Sequence, residues 1–297
     1  MAELAIIIVN FRARDMLREC LKSVLASVGI APDVFVVDNL SRDGSVEMVA
    51  GEFPGVHLIA LDQNVGYGCA NNIGIRAALA ESAAQPRYVL ILNPDTVLPP
   101  SALSEMVAFL DQHPRVGAVG PKLVRSDGSL DKACRRGFPT PAVALYHFAG
   151  LDRLFPTSPR FGRYNMTFLD ADAPGEVDSL VGAFMLVRRE ALEQAGVFDE
   201  AFFMYGEDLD LCYRIRAKGW QVYYNPVVTV LHHKGVSSRQ NSTRANYEFH
   251  RAMLLFHRKH YASTTFFLLN WLIVAAIFVQ GGWALLRNAV SPRVGSA

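Results

Sequence analysis

Paired cysteine spacing is missing from this chain. Its four cysteines, Cys20, Cys69, Cys134 and Cys212, stand far apart with no CxxC among them. That argues against a zinc framework or a disulfide scaffold and makes a reducing compartment the expectation. Net charge is equally scarce. Lys and Arg total 29 against 28 Asp and Glu, a formal charge of +1, too little for the concentrated basic surface of a nucleic-acid binder. The glycine-bearing loop NVGYGCANNIG (64–74) is not GxGxxG, because Asn71 stands where the third glycine should be, and it lacks the Walker lysine. That counts against a dinucleotide-binding dehydrogenase and a P-loop NTPase. No internal repeat is present. Asp, Glu, Lys and Arg are absent from His260 to Leu286.

What remains is apolar and regular. Hydrophobic residues make up 51% and charged residues 19% of the 297, enough for a sizeable buried core and for one large α/β domain with an appendage. Leu4–Val9 is a continuous apolar run that suits a strand buried on both faces of a parallel sheet, and it passes straight into Asn10, Arg12 and Arg14, unlike a signal peptide. Helical spacing follows at Met16, Leu17, Cys20, Leu21, Val24 and Leu25. Strands are expected at Asp33–Asp38, Val56–Leu61 and Tyr88–Leu92, with helices at 41–53 and Ala70–Ala84. This alternation to about residue 124 is the pattern of a doubly wound, mostly parallel, Rossmann-like sheet. Residues 125–176, with five prolines and Arg135, Arg136, Arg153, Arg160 and Arg163, read as a long, basic, partly mobile excursion. Regular structure resumes at Leu180–Val187, then a helix at Arg189–Ala195, an acidic helix at Glu207–Lys218 and a strand at Gln221–Tyr224.

Ligands of such sheets bind beyond the carboxyl ends of the strands. Asn10, Asp38, Asn64 and Asn93–Asp95 all fall just after expected strands. In Asn93-Pro94-Asp95 a carboxylate at a strand exit can hold Mg²⁺ or Mn²⁺ while leaving sites for phosphates, although the same triplet is a common turn. In FFMYGEDLD (202–210) three carboxylates lie within four residues. The helix dipole accounts for one or two of them, and Glu207 or Asp208 is a candidate general base. His232-His233 after VVTVL offers an imidazole at a strand end, able to ligate a metal but equally an ordinary hydrogen-bonded histidine. The glycines of 64–74 let the backbone approach a phosphate at a helix N-terminus.

In this order the pieces resemble the inverting family 2 glycosyltransferases of the GT-A fold, in their bacterial rhamnosyltransferase-like branch. The matching stretches are IIIVNF (6–11), VVDNLSRDGS (36–45), NVGYGCANNIG (64–74), LILNPDTVL (90–98), LVGAFMLVRRE (180–190), FDEAFFMYGEDLDLCYRIRAKGW (198–220) and HHKG (232–235). The resemblance implies a nucleotide-sugar site built from Val9, Asn10 and Phe11, from Asp38 and Asn39, from Gly66 and Asn72, and from Asn93 and Asp95. Gly182 and Ala183 would line its sugar pocket. It further implies Asp208 as catalytic base, Glu207 beside it at the acceptor or the donor sugar, and Asp95 with His232 as ligands of Mg²⁺ or Mn²⁺. Asn93 replaces the first Asp of the family's DxD motif, which leaves the metal dependence open.

The division expected is a catalytic domain over 1–240 and a helical region over 241–297. Its apolar run Phe266–Leu286, within a helix at 264–286, is long enough to span a bilayer. The alternatives for that run are a buried helix or an oligomer contact, so a homo-oligomer stays open. The basic cluster at Arg251, Arg258 and Lys259 favours a catalytic domain on the cytoplasmic face of a bacterial inner membrane. The partners implied are a nucleotide-sugar donor, a glycan or lipid-linked acceptor whose phosphates the basic loop 125–163 would meet, and the membrane, but no nucleic acid. A nucleotide-sugar pyrophosphorylase is the first alternative, disfavoured because IIIVNFRARD (6–15) has no glycine. A non-catalytic sugar- or nucleotide-binding module is the second. The sequons at Asn165 and Asn241 read as chance matches.

Overall fold

The computed structural model describes residues 3–81, 85–233 and 242–290. In chain order the elements are β1 (Leu4–Asn10), α1 (Arg14–Leu25), β2 (Asp33–Asp38), α2 (Ser45–Glu52), β3 (His57–Ala60), α3 (Tyr67–Glu81), β4 (Tyr88–Leu92), β5 (Thr96–Val97), α4 (Ala102–Gln112) and β6 (Val116–Val124). Then come α5 (Pro141–Phe148), α6 (Leu151–Leu154), β7 (Gly175–Glu176), β8 (Phe184–Arg188), α7 (Arg189–Ala195), α8 (Glu207–Ala217) and β9 (Gln221–His232). Two further helices follow, α9 (Ser242–His260) and α10 (Phe267–Val290).

The strands form one sheet in the order β3-β2-β1-β4-β8-β6-β9-β5, with β7 paired to β9. β1 pairs in parallel with β2 and β4, and β2 with β3. All seven residues of β1 are buried, because helices cover both faces and every side chain must leave water. Each large aliphatic so buried contributes about 1.5–3 kcal/mol. α3 lies unusually close to the sheet. A Cβ on Gly74 would come within 2.6 Å of Ile7 Cγ2, so glycine there permits the packing.

Three features depart from the expected pattern. β8 runs antiparallel between β4 and β6. The residues before it therefore lie beside the residues after β4, and Asn93 N–H donates to the Ala183 carbonyl at 3.0 Å. Second, Gln221–Tyr224 and the later apolar stretch are one twelve-residue strand. Its register against β6 slips after the Gly120–Tyr224 pair, which accommodates Asn225-Pro226. Third, the stretch 125–176 is a folded insert rather than a loose basic loop. It carries α5 and α6, and two of its arginines are used inside the protein. Arg135 is buried and donates to the carbonyls of Leu169 and Asp170 at 2.9 and 2.5 Å.

α9 packs against α8 and the segment before it. Phe256 and Ala252 meet Phe202 and Leu209 in a separate apolar cluster. Asp210, fully buried on α8, accepts from Arg214 Nε, Lys259 Nζ and His260 Nε2, each at 2.7 Å. Burial opposes that charge, but the His260 hydrogen bond and the Arg214 and Lys259 cations outweigh it and hold the carboxyl at about 2. α10 joins α9 through His257 Nε2 and Asn270 Oδ1 at 2.8 Å. Over Phe267–Arg287 it is long and apolar enough to cross a membrane, and Trp271, Leu272, Val279 and Trp283 on it are exposed.

Candidate active site

A cavity of about 1190 Å³ opens at the carboxyl edge of the sheet. Val9, Phe11, Asn39, Gly66, Asn93, Asp95, Gly182, Ala183, Glu207, Asp208 and His232 all line it. The sequence scatters these residues over more than two hundred positions. The parallel order of β1, β2 and β4, with β8 reversed beside them, gathers them along one edge.

The acidic pair sits at the start of α8, after two left-handed residues, Tyr205 (φ 70) and Gly206 (φ 81). A non-glycine residue held in that region stores strain, a frequent property of functional sites. Asp208 is buried and both of its oxygens are occupied. Oδ2 accepts from Arg136 Nη2 at 2.6 Å and from Gly182 N–H at 3.3 Å, and Oδ1 accepts from Leu209 N–H at 2.7 Å. Glu207 is equally buried, yet its Oε2 has no hydrogen-bond partner. Burial first, and then the charge of Asp208, push the Glu207 carboxyl well above the usual carboxylate range. The pair is therefore asymmetric: Asp208 is ion-paired with Arg136, whereas burial and the neighbouring carboxylate favour the protonated form of Glu207.

Across the cavity, β5 pairs with β9 so that Thr96 opposes His232, which brings Asp95 next to the imidazole. His232 Nε2 lies 3.3 Å from Asp95 Oδ1, and Nδ1 lies 2.9 Å from Asp131 Oδ2. Burial opposes a charge on His232, but the hydrogen bonds and charges of Asp131 and Asp95 outweigh it and raise the imidazole to about 9. A carboxylate on the far ring nitrogen is how metal-ligating histidines are oriented. Asp95 Oδ1 is buried with only the longer contact to His232 Nε2 beside it. Asp95 and His232 thus fit a divalent cation that completes its shell with ligand oxygens. Among the described residues no group of three or more His, Cys, Asp or Glu stands ready to hold an ion unaided.

The loop 64–67 closes the site. Asn39 Nδ2 donates to Asn64 Oδ1 and the Gly66 carbonyl, each at 3.2 Å, and its Oδ1 accepts from Val65 N–H at 2.9 Å. Gly66 has φ 88, and a Cβ there would lie 2.6 Å from the Phe203 carbonyl. Only glycine suits both the angle and the approach. Tyr67 N–H donates to that same carbonyl at 2.7 Å. The Tyr67 hydroxyl lies 2.9 Å from Asn93 Oδ1 and 3.0 Å from the Gly182 carbonyl, which fixes the Asn93 amide at the cavity wall.

Two of the expected contact residues are taken up in bonds inside the protein. Asn72 is fully buried, donating to the Phe198 carbonyl and Glu200 Oε1 and accepting from Phe198 N–H, all at 2.9 Å. Its amide pins the segment ahead of α8 and does not reach the cavity. Asn10 is also fully buried and donates to Asp38 Oδ2 and Ser41 Oγ. Asp38 lines a smaller adjoining cleft with Arg14, Arg42 and Leu61. Arg136 does not await an acceptor phosphate, since it is the partner of Asp208. Lys234, Gly235 and Asn241 lie outside the described residues.

Sequence reasoning did not assign Arg136, Asp131 or Tyr67 to the site. Arg136 was visible only as one of many arginines in an irregular stretch, and Tyr67 only as part of a glycine loop. Nothing in the sequence around Asp131 marks it.

The sequence profile described as "Glycosyltransferase like family 2" matches residues 2–249. The chain belongs to that family. It is an enzyme, a glycosyltransferase of glycan synthesis, and its fold is GT-A. It is 33% identical over 247 residues to the N-acetylglucosaminyl-diphospho-decaprenol L-rhamnosyltransferase of Mycobacterium tuberculosis, covering 80% of this chain and 79% of that one. It is 28% identical over 196 residues to the rhamnosyltransferase WbbL of Escherichia coli, covering 64% and 70%. The low-salt glycan biosynthesis hexosyltransferase Agl10 of Haloferax volcanii is 25% identical over 286 residues, covering 93% and 85%. Among solved structures, the Pyrobaculum calidifontis mannosyltransferase in complex with GDP-mannose and Mn²⁺ superposes with a TM-score of 0.57 at 18% identity, covering 99% of this glycosyltransferase and 76% of the other chain.

Proposed function

We propose that this glycosyltransferase moves rhamnose, with inversion, from a deoxythymidine-diphosphate donor to a sugar carried on a polyprenyl diphosphate, at the cytoplasmic face of a bacterial plasma membrane. The observation that carries the reading is a single cavity lined by Asp95, His232, Glu207 and Asp208 together. Similarity to the mycobacterial rhamnosyltransferase supports the donor and acceptor classes.

The donor's diphosphate lies toward Asp95 and His232. A divalent cation there, Mg²⁺ or Mn²⁺, would neutralise charge on the leaving diphosphate. Gly182 and Ala183 leave room for the sugar, since the edge they form carries almost no side chain. Asp208, held in place by Arg136, takes the proton of the acceptor hydroxyl as that oxygen bonds to the anomeric carbon. The bond from that carbon to the diphosphate oxygen breaks on the opposite face, and configuration inverts. Glu207, which keeps its proton, donates a hydrogen bond to a sugar oxygen. Asp38 and the turn Val9–Phe11 lie nearest the base. The catalytic unit spans 1–240, and the helical region 241–297 attaches it to the membrane through α10.

The test is a transfer assay with a panel of nucleotide sugars, with and without Mn²⁺, and a polyprenyl-diphosphate acceptor. Metal-dependent release of nucleoside diphosphate from one donor, lost in Asp208→Asn, is the expected result. Donor binding without product from any acceptor would overturn the reading in favour of a binding module.

A further inference from the structure

The cavity is larger than the ~300–1,000 Å³ of an ordinary small-molecule site, and its character changes along its length. Away from Glu207 and Asp208 the walls are α5 on one side and α9 with α10 on the other. Ala144, Leu145 and Phe148 face the space from α5, and Leu269, Leu272 and Ile273 from α10. Both walls are unsatisfied as they stand. α5 reads PAVALYHF and yet has no buried residue. Leu145 is 65% and Phe148 47% exposed, and Leu272 on α10 is 67% exposed. Two of the polar side chains here are paired within the protein. His147 Nδ1 lies 2.7 Å from Asp152 Oδ2, and His257 is bonded to Asn270. Walls built mostly of exposed apolar side chains favour an apolar occupant.

We infer that the slot between α5 and α10 holds the isoprenoid chain of the acceptor, and that α5 is an acceptor-binding helix. The inference deepens the reading above and rests on it. Continuity decides the occupant. The slot and the catalytic pair belong to one cavity, so a molecule whose sugar reaches Asp208 has its tail in the slot. One wall of the slot, α10, is also the helix of membrane-crossing length and composition, so a chain leaving the slot passes directly into lipid. The preceding insert supplies the opposite wall, which explains why 141–148 is apolar without serving the core.

The experiment uses the full chain in detergent micelles, with dTDP-rhamnose as donor. Two acceptors carry the same N-acetylglucosaminyl diphosphate head on a decaprenyl or on a citronellyl chain. Ala144→Trp fills the slot and Leu145→Glu charges it, and neither residue is buried, so folding is expected to survive. Each variant should raise the KM for the decaprenyl acceptor about tenfold or more and leave citronellyl kinetics within about twofold. A benzophenone-bearing decaprenyl acceptor should label peptides from 141–148 and 269–277. An unchanged long-to-short preference in both variants, with labelling elsewhere, overturns the slot while leaving the transferase reading intact. Transfer by the wild type to neither acceptor overturns the acceptor reading and this inference with it.

Discussion

Asp208→Asn and Glu207→Gln are neighbouring substitutions of the same chemistry, and the structure predicts opposite outcomes for them. Asp208 is paired with Arg136 and receives hydrogen bonds from Gly182 and Leu209. An asparagine there offers no site for a proton and turns an amide donor or a neutral oxygen toward the guanidinium. General acid–base catalysis is worth about 10²–10⁴-fold, so kcat for transfer should fall by that factor, about 2.7–5.5 kcal/mol of barrier. The substitution also leaves Arg136 buried without a countercharge. With the pair's side chains only 13% and 9% exposed, the stability cost should be of the order of 3–5 kcal/mol. Burial favours the protonated form of Glu207, and glutamine copies that neutral, donating state. Glu207→Gln should therefore cost less than about tenfold in kcat. The assay is nucleoside diphosphate release with acceptor present, with calorimetric donor binding and a thermal melt as controls on folding. If Glu207→Gln proves as inactive as Asp208→Asn while still binding donor, the proton goes to Glu207 and the assignment of the base is wrong.

The other predictions concern stability and the metal. The folded protein holds the Glu207 proton above the 4.5 at which the free side chain releases it, so stability falls as pH rises from that value through the raised folded one. Glu207→Gln removes this loss, and its melting temperature should gain on the wild type as pH goes from 5 to 8; a constant difference would refute the raised carboxyl. Asp131→Asn should weaken Mn²⁺ affinity, measured with nucleoside diphosphate present, by about 10–100-fold, because His232 loses the carboxylate that orients it; unchanged affinity would remove His232 from the metal site. Gly66→Ala should destabilise the chain by about 1–3 kcal/mol or more, since its Cβ would enter the Phe203 carbonyl; an unchanged melt would refute the tight closure of that loop on the segment before α8.

The order of elements was legible from the sequence alone because each signal is local. Continuous apolar runs such as 4–9 and 88–92 have one stable use, as strands buried on both faces. Polar residues at their ends have one edge on which to collect. Asn93-Pro94-Asp95 and Glu207-Asp208 could be picked out for the same reason, as charges placed where a chain enters or leaves an element. The tertiary structure alone decided which of these groups meet, and in what state. The antiparallel insertion of β8 set Gly182 beside Asn93. The fold of 125–176 turned Arg136 inward to become the partner of Asp208, and it gave His232 its Asp131. Long-range contacts elsewhere drew Asn72 to Phe198 and Glu200, and Asn10 to Asp38 and Ser41. Hydrogen-bond partners and burial depend on contacts between residues tens to hundreds of positions apart, and the proton on Glu207 follows from them. Propensity and spacing act over a few residues and carry no record of such contacts.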